Sequence, residues 1–129
     1  MAHFILEYSG NLAGDLDVPV LFRELHNTAV ATGVFPLGGI RFRAVHCDDY
    51  LIADGKPENA FVHLSMKMGH GRTLEVRKDV GEKLFATLCA TLDPIFQRRP
   101  LGISFEIQEL NPDLSFKKNN MHDKLRGSG

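Results

Sequence analysis

The stretch AFVHLSMKMGHGRTLE, residues 60–75, decides how this chain folds. Ala60, Val62, Leu64 and Met66 recur at every second position, the period of a strand whose side chains point alternately to its two faces. Gly69-His70-Gly71-Arg72 breaks that alternation as a turn. From Thr73 the spacing becomes helical, predicting a helix to about Phe96 with Leu84, Phe85, Leu88, Leu92 and Phe96 on its buried side. Ile103, Phe105 and Ile107 then read as another strand, which completes a strand–helix–strand unit.

The residues before it give the same order. His3 to Tyr8 alternates, with Phe4, Leu6 and Tyr8 opposite His3, Ile5 and Glu7. After Ser9-Gly10-Asn11, a helix is predicted from Val18, Leu21, Phe22, Leu25, Ala29 and Thr32, with Pro19 in its first turn and Gly33 and Pro36 stopping it. Gly39 to His46 alternates again, with Ile40, Phe42 and Ala44 opposite Arg41, Arg43 and Val45, before the exposed loop Asp54-Gly55-Lys56-Pro57. The two units, residues 1–52 and 60–111, form a pseudo-repeat of topology more than of identity. The expected fold is α/β in sequence order and α+β in class. It is one domain over residues 1–126, with Gly127-Ser128-Gly129 as a flexible tail. Right-handed crossovers put both helices on one face of a four-stranded sheet. The other face would then expose a contiguous apolar patch, which predicts a closed homo-oligomer, a trimer or a dimer as far as periodicity reaches.

Composition narrows the function. The 129 residues carry 15 Lys and Arg against 16 Asp and Glu, a formal charge of −1, with 43% hydrophobic residues. Scattered charge near neutrality gives no footprint for nucleic acid or an anionic membrane, so the expected ligand is small. The N-terminal MAHFILEYSG lacks a basic flank and holds Glu7 within its apolar run, so neither a signal peptide nor a membrane span is read there, and a cytoplasmic protein is expected. Cys47 and Cys89 have no CxxC spacing and are read as reduced thiols. His3, His26, His46, His63, His70 and His122 show no metal-ligand spacing, so no metal is expected.

The order and spacing of HFILEY at 3–8, ATGVFPLGGIRFR at 31–43, ADGKPENAFVHLSMKMGHGRTLE at 53–75, SFEIQEL at 104–110 and FKKNNMH at 116–122 carry a family likeness. The chain resembles the 5-carboxymethyl-2-hydroxymuconate isomerases, the trimeric branch of the tautomerase superfamily, along nearly its whole length. The resemblance implies a homotrimer whose subunits each hold two βαβ units. It also implies cofactor-free isomerisation of an unsaturated 2-hydroxy triacid in the bacterial breakdown of homoprotocatechuate, an aromatic compound. Its base is the amine of an N-terminal proline freed by removal of the initiator methionine. An α-amine has an ordinary pKa near ~7.7–8.0, low enough for burial or a nearby cation to bring it to the working pH.

At that position this chain has Ala2, so the implied base is the primary amine that Ala2 would expose once Met1 is removed. A primary amine lacks the ring that fixes φ near −65°. Retention of Met1 would turn the Ala2 nitrogen into an amide and move the free amine by one residue, about 3.8 Å between Cα atoms. The alternative is a protein of this fold that binds a carboxylate but has lost its proton shuttle. Arg72 and Arg41 match family arginines implied to hold carboxylates. By position alone Arg72 reads either as a solvated turn residue or as a guanidinium converging with helix-end N–H groups on an anion. Arg43 is read as a structural ion pair, His70 as a minor ligand contact, and 116–122 as a loose tail by its composition. The resemblance suggests instead that this last segment docks on a neighbouring subunit or closes the site.

Overall fold

The computed structural model describes residues 1–127. The first alternating run forms strand β1, Ala2–Ser9, and the first helical run forms α1, Val18–Ala31. Asp17 caps α1, its side chain accepting from Val20 N at 3.1 Å, and Pro19 lies in the first turn, where its missing N–H costs nothing. Gly33, at φ 71°, ends the helix in a conformation that favours glycine. Strand β2 runs Ile40–Cys47, one residue later than its alternation suggested, because Leu37–Gly39 makes a short 3₁₀ turn. Strand β3, Ala60–Met68, helix α2, Leu74–Phe96, and strand β4, Leu101–Glu109, complete the second unit, with Thr73 capping α2 by accepting from Val76 N. Among the described residues, no helix is long and apolar enough to cross a membrane.

The sheet has the order β2-β1-β3-β4. Each helix returns the chain beside the strand it left, so β1–β2 and β3–β4 are parallel. The two units meet antiparallel, from Ala2↔Met68 to Tyr8↔Val62. Both helices pack on one face, as expected. Phe4 and Leu6 of β1, and Val62, Leu64 and Met66 of β3, are buried against Leu21, Leu25 and Ala29 of α1 and Leu84, Leu88 and Leu92 of α2. Phe42 stacks on Phe4 with ring centroids 4.3 Å apart.

Four expectations are corrected. The buried stripe of α2 is Val80, Leu84, Leu88, Leu92 and Ile95, whereas Phe85 and Phe96 are 39% and 53% exposed. Each of these phenylalanines lies one residue, about 100°, past the stripe that faces the sheet. The open sheet face is not a contiguous apolar patch. Beside Ile5, Val45 and Phe61, the positions that alternate away from the core hold His3, Glu7, Arg41, Arg43, His63, Ser65 and Lys67. His63 joins this face to β4, with Nδ1 2.6 Å from Ser104 Oγ and Nε2 3.2 Å from Glu106 Oε1. The residues after 116 are not a loose tail: Met121–Gly127 forms a further helix, α3. Gly127 therefore belongs to α3 rather than to the expected tail, and Ser128 and Gly129 lie outside the described residues. Cys47 and Cys89 are free thiols, as read from their spacing.

The revised stripe is testable by urea denaturation. Leu88→Ala empties a fully buried site facing the sheet and is expected to cost ~2–5 kcal/mol. Phe85→Ala is expected to cost about 1 kcal/mol or less, since its ring is already partly in water.

Candidate active site

The topology gathers the site at one end of the sheet. Because β1 runs parallel to β2 and antiparallel to β3, its first residue lies beside the start of β2 and the end of β3. The register Met68↔Glu109 brings the end of β4 to the same edge, and Leu110 N donates to Met68 O at 2.8 Å. Three distant segments thus surround Met1: the turn before β2, the turn 69–72 after β3, and the chain that leaves β4. Glycine permits the closest approach, since a Cβ at Gly39 would stand 3.3 Å from Met1 Cα.

The segment leaving β4 folds back over this end. Asn119 Nδ2 donates to Gly38 O at 2.8 Å, and Asn119 Oδ1 accepts from Met121 N at 2.8 Å, starting α3. His122 lies so close to Gly38 that a Cβ there would be 2.8 Å from its Nδ1. The segment therefore closes over the site of its own chain. Three adjoining cavities share Met1. One, about 610 Å³, lies between Met1, Arg41 and residues 118–121. Another, about 230 Å³, includes Gly69, His70 and Lys117. The third, about 290 Å³, includes Gly39, Lys117, Asn119 and His122.

Of the residues singled out in the sequence, Ala2, Arg41, Arg72 and His70 all come to this end of the sheet. Ala2 is 2% exposed, its methyl in the core and its nitrogen in a peptide bond, so the free amine of this chain is that of Met1. Burial lowers the pKa of that amine from its ordinary 8.0, and the charges of Lys117, Arg72 and Arg41 lower it further. Arg72 donates from Nη2 to Val34 O at 2.7 Å, and its own carbonyl accepts from Arg77 Nε at 3.2 Å. Arg77 in turn pairs with Glu109 at 3.2 Å, which ties the turn to the end of β4.

Arg41 is different: its Nε and Nη2 are buried and have no hydrogen-bond partner among the described residues. A desolvated guanidinium edge without an acceptor is costly, and a carboxylate is the group that both matches its fork and neutralises it. Among the described residues, Arg43 does not make the expected ion pair. Its Nη1 stands 3.2 Å from His3 Nδ1, and because arginine only donates, that nitrogen is the acceptor. Burial lowers the His3 pKa, and the charges of Arg41, Arg43, the amine and Lys67 lower it further. Among the described residues, no three His, Cys, Asp or Glu side chains are grouped to hold a metal ion. Lys117, Asn119 and His122 were not singled out from the sequence, although the polar run FKKNNMH was the signal that carried them.

Two chemical capacities follow: a terminal amine inclined to be neutral, and guanidinium edges able to hold carboxylates. Gly38→Ala tests whether the last segment closes the site through the Gly38 contact. It is expected to speed amide hydrogen exchange across residues 119–126 while leaving the strands protected.

The chain is similar to known proteins in sequence and fold. The family model for 5-carboxymethyl-2-hydroxymuconate isomerase matches residues 2–125. The 5-carboxymethyl-2-hydroxymuconate Delta-isomerase of Escherichia coli is 45% identical over 122 residues, which cover 95% of this chain and 97% of that protein. The crystal structure of a 5-carboxymethyl-2-hydroxymuconate isomerase from Deinococcus radiodurans R1 is 40% identical, with a TM-score of 0.91 over 97% of this chain and 94% of that one. A fused 4-OT symmetric trimer shares the fold at 16% identity, with a TM-score of 0.63 over 90% of this chain and 93% of that one.

Proposed function

This chain belongs to the 5-carboxymethyl-2-hydroxymuconate isomerase family, and we propose that it converts 5-carboxymethyl-2-hydroxymuconate to its 2-oxo isomer by proton transfer through its α-amine. It is an isomerase, and the observation that carries the chemistry is Arg41, whose buried Nε and Nη2 have no acceptor among the described residues and which lines the cavity that also holds the terminal residue.

The neutral amine takes the proton of the 2-hydroxyl group. The O–H electron pair becomes the C=O bond at carbon 2, the conjugated double bonds shift, and the ammonium returns the proton to a carbon further along the chain. One O–H bond is broken and one C–H bond is formed, so the step is a balanced isomerisation that needs no added oxidant or reductant. Arg41 and Arg72 hold carboxylates and stabilise the negative charge of the dienolate between the two transfers. His70 contributes a weaker contact from the same turn. The base is the Ala2 amine where Met1 has been removed, and the space Met1 occupies between Arg41 and residues 118–121 then becomes room for substrate. The working form is a homotrimer in the cytoplasm, acting in homoprotocatechuate catabolism. The trimer is supported by the fold shared with the fused 4-OT symmetric trimer.

Intact mass paired with loss of the dienol absorbance of 5-carboxymethyl-2-hydroxymuconate tests the mechanism. Turnover that disappears on selective acylation of the α-amine is expected, and turnover that survives complete acylation overturns it. In the chain that keeps Met1 the amine pKa lies below its ordinary 8.0, so that amine stays neutral to lower pH, and the acid limb of its kcat/KM is expected below pH 8.0. Arg41→Gln is expected to lower kcat/KM roughly 10²-fold, by removing the guanidinium charge from the transition state.

A further inference from the structure

We propose that Lys117 is the third anion-binding group of the site, holding the carboxylate that Arg41 and Arg72 leave unpaired and so selecting triacids over diacids. This rests on the isomerase reading, whose substrate carries two muconate carboxylates and a third on the carboxymethyl group.

The counting is chemical. A triacid that leaves water for these cavities gives up hydration at each carboxylate, a loss offset where the carboxylate meets a donor. Arg41 has one free buried edge, Nε with Nη2, which suits one carboxylate. Arg72 has committed Nη2 to Val34 O and keeps part of its fork. Lys117 lines both of the smaller cavities around Met1, on the side of the His70 turn and on the side of Gly39. Lys118 lines only the larger one, beside Arg41. The Asn119–Gly38 hydrogen bond anchors the backbone two residues beyond Lys117, so the ammonium is delivered by a segment already fastened to the site.

Electrostatics agree with the geometry. Of the charges acting on the α-amine, that of Lys117 has the largest effect, ahead of Arg72 and Arg41. The other titratable groups around the amine are His3 on β1, His70 in the turn after β3, and Lys118 and His122 on the closing segment. Glu109, the acid at the end of β4, is paired with Arg77, and the charges that act on the amine are those of Lys117, Arg72 and Arg41. Lys117 therefore has a second effect, keeping the amine deprotonated until substrate carboxylates arrive.

The test uses the full-length protein, with Lys117→Gln and Lys117→Arg, and two substrates: 5-carboxymethyl-2-hydroxymuconate and 2-hydroxymuconate, which lacks the carboxymethyl group. Lys117→Gln is expected to raise KM for the triacid at least tenfold more than KM for the diacid, and to move the acid limb of kcat/KM to higher pH. Lys117→Arg is expected to restore the triacid KM. An equal loss on both substrates without a shift of the acid limb overturns the proposal, as does no change on either. The pH midpoint of α-amine acylation is followed by mass spectrometry on the same variants. If the wild-type chain turns over neither substrate, the isomerase reading falls. A midpoint that rises in Lys117→Gln then still supports Lys117 as the cation facing the amine, and an unchanged midpoint removes it.

Discussion

The molecule depends on β1 being paired along both edges, parallel to β2 and antiparallel to β3. A central strand is held in register by two ladders of hydrogen bonds, and its alternating side chains are buried by both helices. Phe4 and Leu6 have no solvent exposure, so a slip of one residue would turn them onto the polar open face and put His3 and Ile5 in the core. That penalty fixes where the chain's first residue emerges. It also fixes what the residue meets, because the same end of the sheet is where β2 begins and where β3 and β4 end. The site results from strand register more than from any loop conformation.

On this frame the polar chemistry is concentrated rather than dispersed. Arg41 belongs to β2 and turns away from the core because its neighbours Ile40 and Phe42 turn toward it. Arg72 sits where α2 needs a preceding turn, and Arg77, one turn into the helix, holds that turn by its bond to the Arg72 carbonyl and its ion pair with Glu109. Lys117 and Asn119 arrive from a segment with little apolar content, fastened through the Gly38 carbonyl and the close approach of His122. Each group is attached to a different element, so the cationic environment exists only when the second unit has docked on the first. Cations around an amine disfavour its protonation, and they attract carboxylates for the same electrostatic reason. Binding an anionic substrate and keeping a base neutral are therefore compatible demands on one set of residues.

The sequence by itself determined the order of strands and helices, the side on which the helices pack and the core of β1 and β3, because periods of two and of about 3.6 follow from backbone geometry alone. It also marked Ala2, Arg41, Arg72 and His70 through their likeness to a known family, and FKKNNMH as a polar run. Only the tertiary structure decided that Phe85 and Phe96 lie off the buried stripe, since a helix's rotation about its axis depends on what it packs against. Tertiary structure alone replaced the ion pair expected of Arg43 by His3, which the parallel register β1–β2 sets opposite Arg41 and so diagonal to Arg43 on the same face. It also turned 116–127 from a tail into a cover, because that segment's partners, the Gly38 carbonyl and the space beside Gly39, lie some eighty residues earlier in the chain. Local spacing carries no information about such contacts, which exist only after strand pairing has brought the two ends of the chain together.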